Sequence, residues 1–351
     1  SRRPAPSLIP ALPALRPRSA AVPGFRPAAP AAPPLVAAGG VPRVNVVARN
    51  AGWFFEDLKR HFRAIPRSDL SVVATDQPLR DADAWVYLRT CEAASSPDPG
   101  RTVVQIHDMY DHGLYRPGGE RACVARCAAI AATHPGQRRI LAESGIVLDG
   151  KPFLARPIGA LRAFTLRTTL PARFTVAWVG RPVTHHGRDI KRVDWFVDAV
   201  RAAGGDLEVV LLGERLEAAH DRLRQAGIGC RYLHRAQNAI DRYPQHYQGF
   251  DCVVISSSTE AGPLCLFEAL ATGVPVVSTP VGWAPELLRD GENGYLAASV
   301  DETAAAIRRI RAGREAWFAR RAAIRGSMDG LTLESWIDAN LDLALGLVVA
   351  R

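Results

Sequence analysis

The 351-residue chain is longer than one hydrophobic core usually supports, so two domains are the first expectation. Hydrophobic residues make up 48% of it, which is enough for real cores, and no run of about 18 uncharged apolar residues marks a membrane span. The formal charge of +9 suits a phosphate-rich ligand or an anionic surface, while the lack of an aromatic-interleaved basic stripe argues against nucleic acid. We therefore expect a soluble, cytoplasmic protein, with peripheral contact to an anionic membrane or a protein partner left open.

Residues that commonly bind metals are not arranged in a metal site. The six cysteines lack the paired short spacings of a zinc site and are expected to be free thiols in a reducing cytosol. They are Cys91, Cys123, Cys127, Cys230, Cys252 and Cys265. The adjacent His185 and His186 have no third ligand near them in sequence and are interpreted as exposed loop residues. We expect neither a metal nor a resident cofactor.

The first 40 residues are almost entirely Pro, Ala and Arg, a composition that cannot bury enough apolar surface to fold alone. Prolines such as Pro10, Pro13 and Pro17 interrupt every candidate for the apolar region of a secretory signal. We assign residues 1–41 to an N-terminal arm that lies on a domain or a partner.

A first α/β domain is predicted for residues 42–167. The β-branched run 44–47 is followed by turn residues at 50–52 and by helical spacing over 54–62, which is how a βαβ unit begins. The other predicted elements are strands 84–88, 102–106 and 129–132 and a helix over 136–143.

A second α/β domain is predicted for residues 168–330, because continuous apolar strands alternate with helices throughout. The predicted strands are 174–179, 207–212, 230–233, 252–255 and 274–278. The predicted helices are 193–202, 217–226, 264–271 and, after a capping box at 299–302, a helix that continues to 310. Further helices over 314–325 and 333–348 close the chain, and we assign 331–351 to a C-terminal closing helix.

The densest chemical signal is SSSTEAGPLCLFE at 256–268, between a strand and a helix. Gly262 lets a ligand approach the backbone, Pro263 suits the first helical turn, and the helix from Leu264 offers free N–H groups to an anion. Ligands of an open parallel sheet bind beyond the carboxyl ends of its strands, where this turn lies. Glu260 and Glu268 can therefore hold different parts of one long ligand, such as sugar hydroxyls and a ribose.

Glu260 and Glu268, with seven residues between them, resemble the Glu-x7-Glu motif of family-four GT-B glycosyltransferases. The segments GVPVV at 273–277, PVGWAPE at 280–286 and DGENG at 290–294 are similar to that family's next segments. The resemblance extends from 174 to about 310 and is weaker before it. It implies that Glu260 contacts the donor sugar and that Glu268 contacts the nucleotide ribose.

The start of the second domain resembles the family's diphosphate site. Gly180 and Arg181, followed by Lys191, are similar to the Gly-Arg and Lys pair that neutralises the donor diphosphate in that family. A positioned Arg and Lys can stabilise a leaving diphosphate without a metal. The insert at 184–188 lengthens the spacing, so strand capping by Arg181 and a solvated helix-start charge at Lys191 stay as alternatives.

Other strand ends carry weaker parts of the resemblance. Gly52 follows the first strand, where the family places a glycine loop against the donor phosphates, and a simple tight turn is its alternative. His107 resembles the strand-end histidine that faces the reaction centre, although a buried structural histidine has the same pattern. Gly213 and Arg235 occupy positions where the family lines its base and phosphate pocket.

The resemblance implies two Rossmann-like domains that face a central cleft, with the donor held by the C-terminal domain and the acceptor by the N-terminal one. The implied reaction is transfer of a sugar from a nucleotide diphosphate to an acceptor hydroxyl, with retention and without a metal. The acceptor stays open among glycans, lipid-linked molecules, proteins and small molecules. A GT-B sugar-nucleotide epimerase and a non-catalytic subunit that binds a partner through its N-terminal arm are the two alternatives.

Overall fold

The computed structural model describes residues 40–49, 53–107, 120–185, 187–235 and 242–349. Two six-stranded parallel sheets follow one another in this part of the chain, and helices pack against both. The expected α/β class with two Rossmann-like domains is confirmed. The predicted arm, except for residues 40 and 41, and the predicted turn at 50–52 lie outside the described residues.

The first sheet has the strand order β2-β1-β3-β4-β5-β6. Its central strands are buried along their whole length, because helices cover both faces of a parallel sheet. The strands are β1 (Arg43–Val47), β2 (Ser71–Thr75), β3 (Ala84–Tyr87), β4 (Thr102–Ile106), β5 (Ala129–Ala132) and β6 (Phe153–Ala155). Its helices are α1 (Trp53–Ala64), α2 (Glu120–Arg126) and α3 (Gly136–Glu143), with short 3₁₀ helices over Thr90–Ser95 and Pro99–Arg101.

The second sheet has the strand order β11-β10-β7-β12-β13-β14. A two-residue antiparallel hairpin, β8 (Thr184–His185) with β9 (Arg188–Asp189), follows its first strand, and His185 is half-buried there rather than exposed. The sheet strands are β7 (Thr175–Gly180), β10 (Glu208–Gly213), β11 (Gly229–His234), β12 (Cys252–Ile255), β13 (Val276–Ser278) and β14 (Gly294–Leu296).

The helices predicted over 193–202, 217–226, 264–271 and up to 310 begin and end within about two residues of those observed, whereas Tyr243–Tyr247 and Ala284–Leu287 were not predicted to be helical. Ser299 accepts a hydrogen bond from the backbone N–H of Glu302 at 3.1 Å, as the predicted capping box requires. The helices are α4 (Val193–Ala203), α5 (Glu217–Gln225), α6 (Tyr243–Tyr247), α7 (Leu264–Thr272), α8 (Ala284–Leu287), α9 (Val300–Ala312), α10 (Arg314–Ala319), α11 (Arg321–Gly326) and α12 (Leu333–Val349). No helix among the described residues is long and apolar enough to cross a membrane.

Apart from the short hairpin β8–β9, the three strands that were not predicted all lie at edges of the two large sheets. They are β2 and β6 of the first sheet and β14 of the second. Most of their residues are only half-buried, and edge strands need less apolar sequence than central ones.

The helix predicted over 314–325 is wrong, because the structure has two helices there, separated by a turn at Arg320. The turn lets Arg321 donate a hydrogen bond from Nε to the carbonyl oxygen of Arg167 at 2.9 Å. A tertiary contact is therefore associated with the end of a helix that the local hydrophobic periodicity alone would continue.

The last helix returns to the first half of the molecule. Trp336, Ile337 and Leu341 of α12 are buried in the core formed with Val44, Val86 and other residues of the first sheet. The domain boundaries that we drew from the sequence stay a prediction, and this packing is the contact by which residues 333–349 stabilise the first half.

The carboxyl ends of the two sheets meet. The indole Nε1 of Trp283, which follows β13, donates to the carbonyl oxygen of Thr133, which follows β5, at 2.7 Å. The ring of His134 packs edge-on against the same indole, with ring centroids 5.2 Å apart. Loops that follow strands of both sheets therefore line one shared region.

A buried ion cluster lies at the opposite end of the second sheet. Asp251 accepts from Arg314 Nη2 at 2.8 Å and from the backbone N–H of Thr175 at 3.0 Å, and Arg167 Nη1 lies 3.5 Å from its other oxygen. Burial lowers the pKa of Arg167 to about 10, and the Asp251 carboxylate opposes this shift. Asp251 thus joins the strand start to the segment that links the two sheets and to α10.

Replacing Asp251 with alanine should lower the free energy of unfolding by about 3–5 kcal/mol, because buried guanidinium groups lose their counter-charge. Urea unfolding followed by circular dichroism measures this change. The matched control is Asp206→Ala, which breaks an exposed ion pair with Arg173 and should cost about 0–1 kcal/mol. Equal losses in the two variants would contradict a stabilising role for the buried cluster.

Candidate active site

Lys191 and Glu260 form an ion pair at the carboxyl edge of the second sheet. Lys191 lies just before α4, and Glu260 lies in the loop between β12 and α7. Their side chains are 25% and 10% exposed, so the pair is accessible to a ligand but largely shielded from water. Ser257 Oγ also donates to Glu260 Oε1 at 2.7 Å, which fixes the carboxylate between a hydroxyl and an ammonium group.

The two loops that carry this pair are joined by their backbones. Ser258 donates its backbone N–H to the carbonyl oxygen of Ile190 at 2.8 Å, and Ser256 Oγ donates to the carbonyl oxygen of Lys191 at 2.7 Å. The Trp178 indole donates to Ser256 Oγ at 3.1 Å from within β7. The ion pair therefore rests on adjacent strands of the sheet.

Glu268 lies in the second turn of α7 and is in a different environment. It is 7% exposed, and Tyr247 donates its hydroxyl hydrogen to Glu268 Oε2 at 2.5 Å. Burial raises the pKa of Glu268 to about 7, and the hydrogen bond from Tyr247 opposes this shift. The two predicted glutamates therefore differ in their interactions: Glu260 forms a salt bridge with Lys191, whereas Glu268 accepts a hydrogen bond from the Tyr247 hydroxyl.

Gly180 and Gly213 end two adjacent central strands in register with each other. Their φ angles are +148° and +152°, a region that L side chains rarely adopt. A Cβ atom at position 213 would lie 1.6 Å from the carbonyl oxygen of Gly180, so only glycine fits there. Glycine is therefore required where these two strand ends pack against each other, at the edge where the diphosphate and base pocket is predicted.

Arg235, directly after β11, contacts acidic groups from both halves of the chain. Its Nη2 lies 3.8 Å from Asp57 of α1, and its Nε lies 3.9 Å from Glu214, which follows β10. Burial lowers the pKa of Arg235, and the nearby charges of Asp57 and Glu214 oppose this shift. Arg181 itself is exposed at the end of β7. The Arg235 guanidinium therefore lies between acidic groups of the two halves, and a shared donor contact by Arg181 and Arg235 stays a prediction.

The start of α7 is more tightly packed than the sequence indicated. Pro263 precedes the helix with φ −64° and ψ 119°, so the helix begins at Leu264 and the proline is not part of its first turn. A Cβ atom on Gly262 would lie 3.2 Å from the Trp283 ring, and the half-buried Leu264 packs against the core of the first sheet. Donor contacts by these three residues stay a prediction.

His107 lies at the end of β4, inside the first half of the molecule. Its Nε2 lies 3.1 Å from Gln105 Oε1, and its ring packs edge-on against Phe54 and Phe55 with centroids 5.7 and 5.5 Å away. Trp336 of α12 lies 6.2 Å from the ring. The histidine is held by an aromatic cluster at the cleft edge, and Gly52, predicted close by, lies outside the described residues.

The sequence analysis missed several residues that the structure brings to the site. Tyr247 contacts Glu268 from 21 positions earlier in the chain, and Asp57 and Arg235 are much farther apart in sequence. No local sequence motif therefore links the two residues of either pair. Arg192 directly follows Lys191, and its role was not predicted from the sequence. The sequence did contain one signal for further site residues, namely polar residues that follow shortly after predicted strands, such as His134 after β5.

Metal ligands do not cluster in the described part of the chain, where no group of three or more His, Cys, Asp or Glu side chains is placed to hold an ion. The six cysteines are free thiols, of which Cys91 is exposed and the others are buried or half-buried.

The arrangement of the two sheets matches solved glycosyltransferase structures. Anabaena HepE in complex with UDP and glucose superposes with a TM-score of 0.66 and 13% identity, over 85% of this chain and 98% of that one. Sucrose-phosphate synthase from Thermosynechococcus elongatus gives a TM-score of 0.67 and 16% identity, over 88% and 100% of the two chains. The protein therefore has the GT-B fold.

Residues 173–312 match the family model of glycosyl transferases group 1. The D-inositol 3-phosphate glycosyltransferase of Geodermatophilus obscurus is 38% identical over 263 residues, which are 71% of this chain and 50% of that protein. The enzyme of the same name from Paenarthrobacter aurescens is 29% identical over 201 residues, or 52% of this chain and 48% of that protein. The chain spans about half the length of these curated relatives.

Glu268→Gln should remove a pH-dependent loss of stability. The pKa of Glu268 is about 7 in the fold and 4.5 ordinarily, so the wild type is penalised progressively as pH rises from 4.5 to 7 and fully above 7. The variant cannot ionise and should gain up to about 3 kcal/mol over the wild type between pH 5 and pH 8. Urea unfolding at both pH values measures the difference.

The control for this measurement is Glu292→Gln, which removes an exposed carboxylate from a turn. It should follow the wild type at both pH values. A constant difference between Glu268→Gln and the wild type would show that the buried carboxyl ionises as it does in water.

Proposed function

We propose that the chain is a glycosyltransferase that moves a sugar from a nucleotide-diphosphate donor to an acceptor hydroxyl. The observation that carries this proposal is the Lys191–Glu260 pair, a cation beside a hydrogen-bond acceptor at the carboxyl edge of a parallel sheet. The pair lies within the region that matches the glycosyl transferases group 1. Such a site combines the two contacts that a sugar diphosphate needs.

The diphosphate is proposed to bind to Lys191 and Arg181. An ammonium group has three N–H donors, so Lys191 can keep its contact with Glu260 and still donate to a phosphate oxygen. Arg181 is exposed directly after Gly180 at the end of β7, where its guanidinium can bind phosphate in a bidentate manner. Both cations would stabilise the charge that develops on the leaving group.

The sugar and the nucleoside are proposed to lie on either side of the diphosphate. Glu260 would accept hydrogen bonds from sugar hydroxyls, with His107 facing the sugar or the acceptor from the first domain. Glu268 would hold the ribose, and Arg235 would line the base pocket. Gly52, Gly262, Pro263 and Leu264 complete the proposed donor site.

The proposed chemical step retains the anomeric configuration. The bond between the anomeric carbon and the diphosphate oxygen breaks, and the acceptor oxygen bonds to the same face of that carbon. The departing phosphate takes the proton of the acceptor hydroxyl, so no enzyme nucleophile is needed. The role of the chain is to hold the diphosphate and orient the sugar, and protein cations supply the charge stabilisation without a metal.

We propose UDP as the nucleotide of the donor. The HepE structures contain UDP or UDP-glucose, and a relative from Streptococcus gordonii, 27% identical over 172 residues, is named for UDP-N-acetylglucosamine. The described cations and carboxylates suit any nucleoside diphosphate, so these neighbours are what favour uridine.

Binding of UDP should raise the melting temperature, because a ligand at a hundredfold excess over its Kd stabilises the native state by about 2.7 kcal/mol. A thermal-shift series with UDP, GDP, ADP and TDP measures this effect. The shift should fall strongly in Lys191→Ala and change little in Glu260→Gln, whose sugar partner is absent from UDP. If millimolar UDP, GDP, ADP and TDP all leave the transition unmoved, the proposed function is wrong.

Turnover of UDP-glucose should survive EDTA but fall about a hundredfold in Lys191→Ala or Arg181→Ala, because these side chains take the place of a metal at the diphosphate. UDP release measures turnover. The control is Arg201→Ala, which removes a cation from the last turn of α4 and should keep wild-type turnover. Strict dependence on added Mg²⁺ or Mn²⁺ would contradict the proposed role of the two cations.

A further inference from the structure

Arg192 has a backbone conformation that an L residue rarely adopts. Its φ and ψ angles are 47° and 52°, in the left-handed region, and it lies directly between Lys191 and the start of α4. Among the residues that the structure describes, Arg192 and Arg215 are the two non-glycine residues with positive φ. Such strain persists where surrounding contacts hold it, and it is concentrated at functional sites.

The guanidinium of Arg192 binds the loop that carries Glu260. Its Nε donates to the carbonyl oxygen of Ser256 at 2.6 Å, and its Nη2 donates to that of Ser257 at 2.8 Å. The group also lies over the ring of Trp195, 4.2 Å from the centroid. Two charge-assisted hydrogen bonds and an aromatic face therefore fix its position.

The two serines that Arg192 holds are the residues that hold the ion pair. Ser256 Oγ donates to the carbonyl oxygen of Lys191 at 2.7 Å, and Ser257 Oγ donates to Glu260 Oε1 at 2.7 Å. Arg192 thus reaches both members of the pair through one short stretch of backbone.

Asp189 maintains the strained turn from the other side. Its Oδ1 accepts from the backbone N–H groups of Lys191 and Arg192 at 3.1 and 2.9 Å. Lys191 therefore also has a contact, with Asp189, that does not involve the Arg192 side chain. The position of the Ser257–Glu260 stretch depends on the guanidinium more directly.

We propose that Arg192 is a positioning residue that fixes the Glu260 carboxylate against the Lys191 ammonium group by clamping the Ser256 and Ser257 carbonyl oxygens. The inference rests on the proposed function of the pair.

The test variant is Arg192→Gly, because glycine suits the left-handed backbone while the guanidinium is lost. Hydrolysis of UDP-glucose should fall roughly 10–100-fold in kcat, as expected for the loss of hydrogen bonds from a charged group. The Kd for UDP should change by less than about threefold, since Lys191 keeps its other contacts. Guanidinium chloride at low millimolar concentration should restore part of the lost kcat, a rescue that a general loss of packing would not give.

Two further variants separate positioning from stability. Arg215→Gly relieves the same backbone conformation at an exposed arginine and serves as the melting-temperature control. Arg192→Lys keeps the charge with a single donor group and should have a kcat between those of the wild type and Arg192→Gly. If Arg192→Gly fails to fold, wild-type kcat in Arg192→Lys overturns the proposal.

Hydrogen exchange followed by mass spectrometry tests the same proposal without turnover. The amides of residues 256–260 should exchange at least about tenfold faster in Arg192→Gly than in the wild type. Unchanged exchange, or unchanged kcat in a folded variant, overturns the positioning role. A wild type that neither binds UDP nor hydrolyses UDP-glucose defeats the proposed function instead, and the exchange rates then decide on Arg192 alone.

Discussion

The site depends on the hydrogen bonds that join the loop before α4 to the loop after β12. Strands β7 and β12 are neighbours in the sheet, although some seventy positions separate them in the chain. Their parallel direction brings Lys191 and Glu260 to the same edge, and the bond from Ser258 N–H to the Ile190 carbonyl oxygen sets the distance between the loops. Without this connection the two charges would lie on independent loops and would lose side-chain entropy to meet.

The two glutamates of the Glu-x7-Glu pattern differ in how the cost of burying a carboxyl group is compensated. Glu260 has a cationic partner, Lys191, and a hydroxyl donor, Ser257, so its charge is compensated in place. Glu268 is buried beside the Tyr247 hydroxyl, and burial raises its pKa to about 7, which favours the neutral form more than water does. Identical residues in one motif thus differ in electrostatic state, because one stands before the helix and the other within the packed turn behind it.

The central strands and the polar residues that follow them were predictable, because buried parallel strands have continuous apolar runs and ligands bind at their carboxyl ends. Edge strands such as β6, with three half-buried residues, carry no comparable pattern. The contacts of Tyr247 and Arg192 were not predictable. Each is defined by a partner that is distant in sequence, and a left-handed backbone at an arginine has no compositional sign.

Arg235 lines the proposed donor pocket and also contacts residues of both halves of the molecule. It has one acidic partner in each half of the molecule, Asp57 on α1 and Glu214 after β10, and neither pair is closer than 3.8 Å. A phosphate that binds Arg235 would bring negative charge beside Asp57, which contacts the same guanidinium. The indole of Trp283 makes a stronger contact between the sheets, a buried hydrogen bond of 2.7 Å to Thr133. Occupation of the pocket can thus weaken one contact between the domains while the indole contact keeps the two carboxyl edges together.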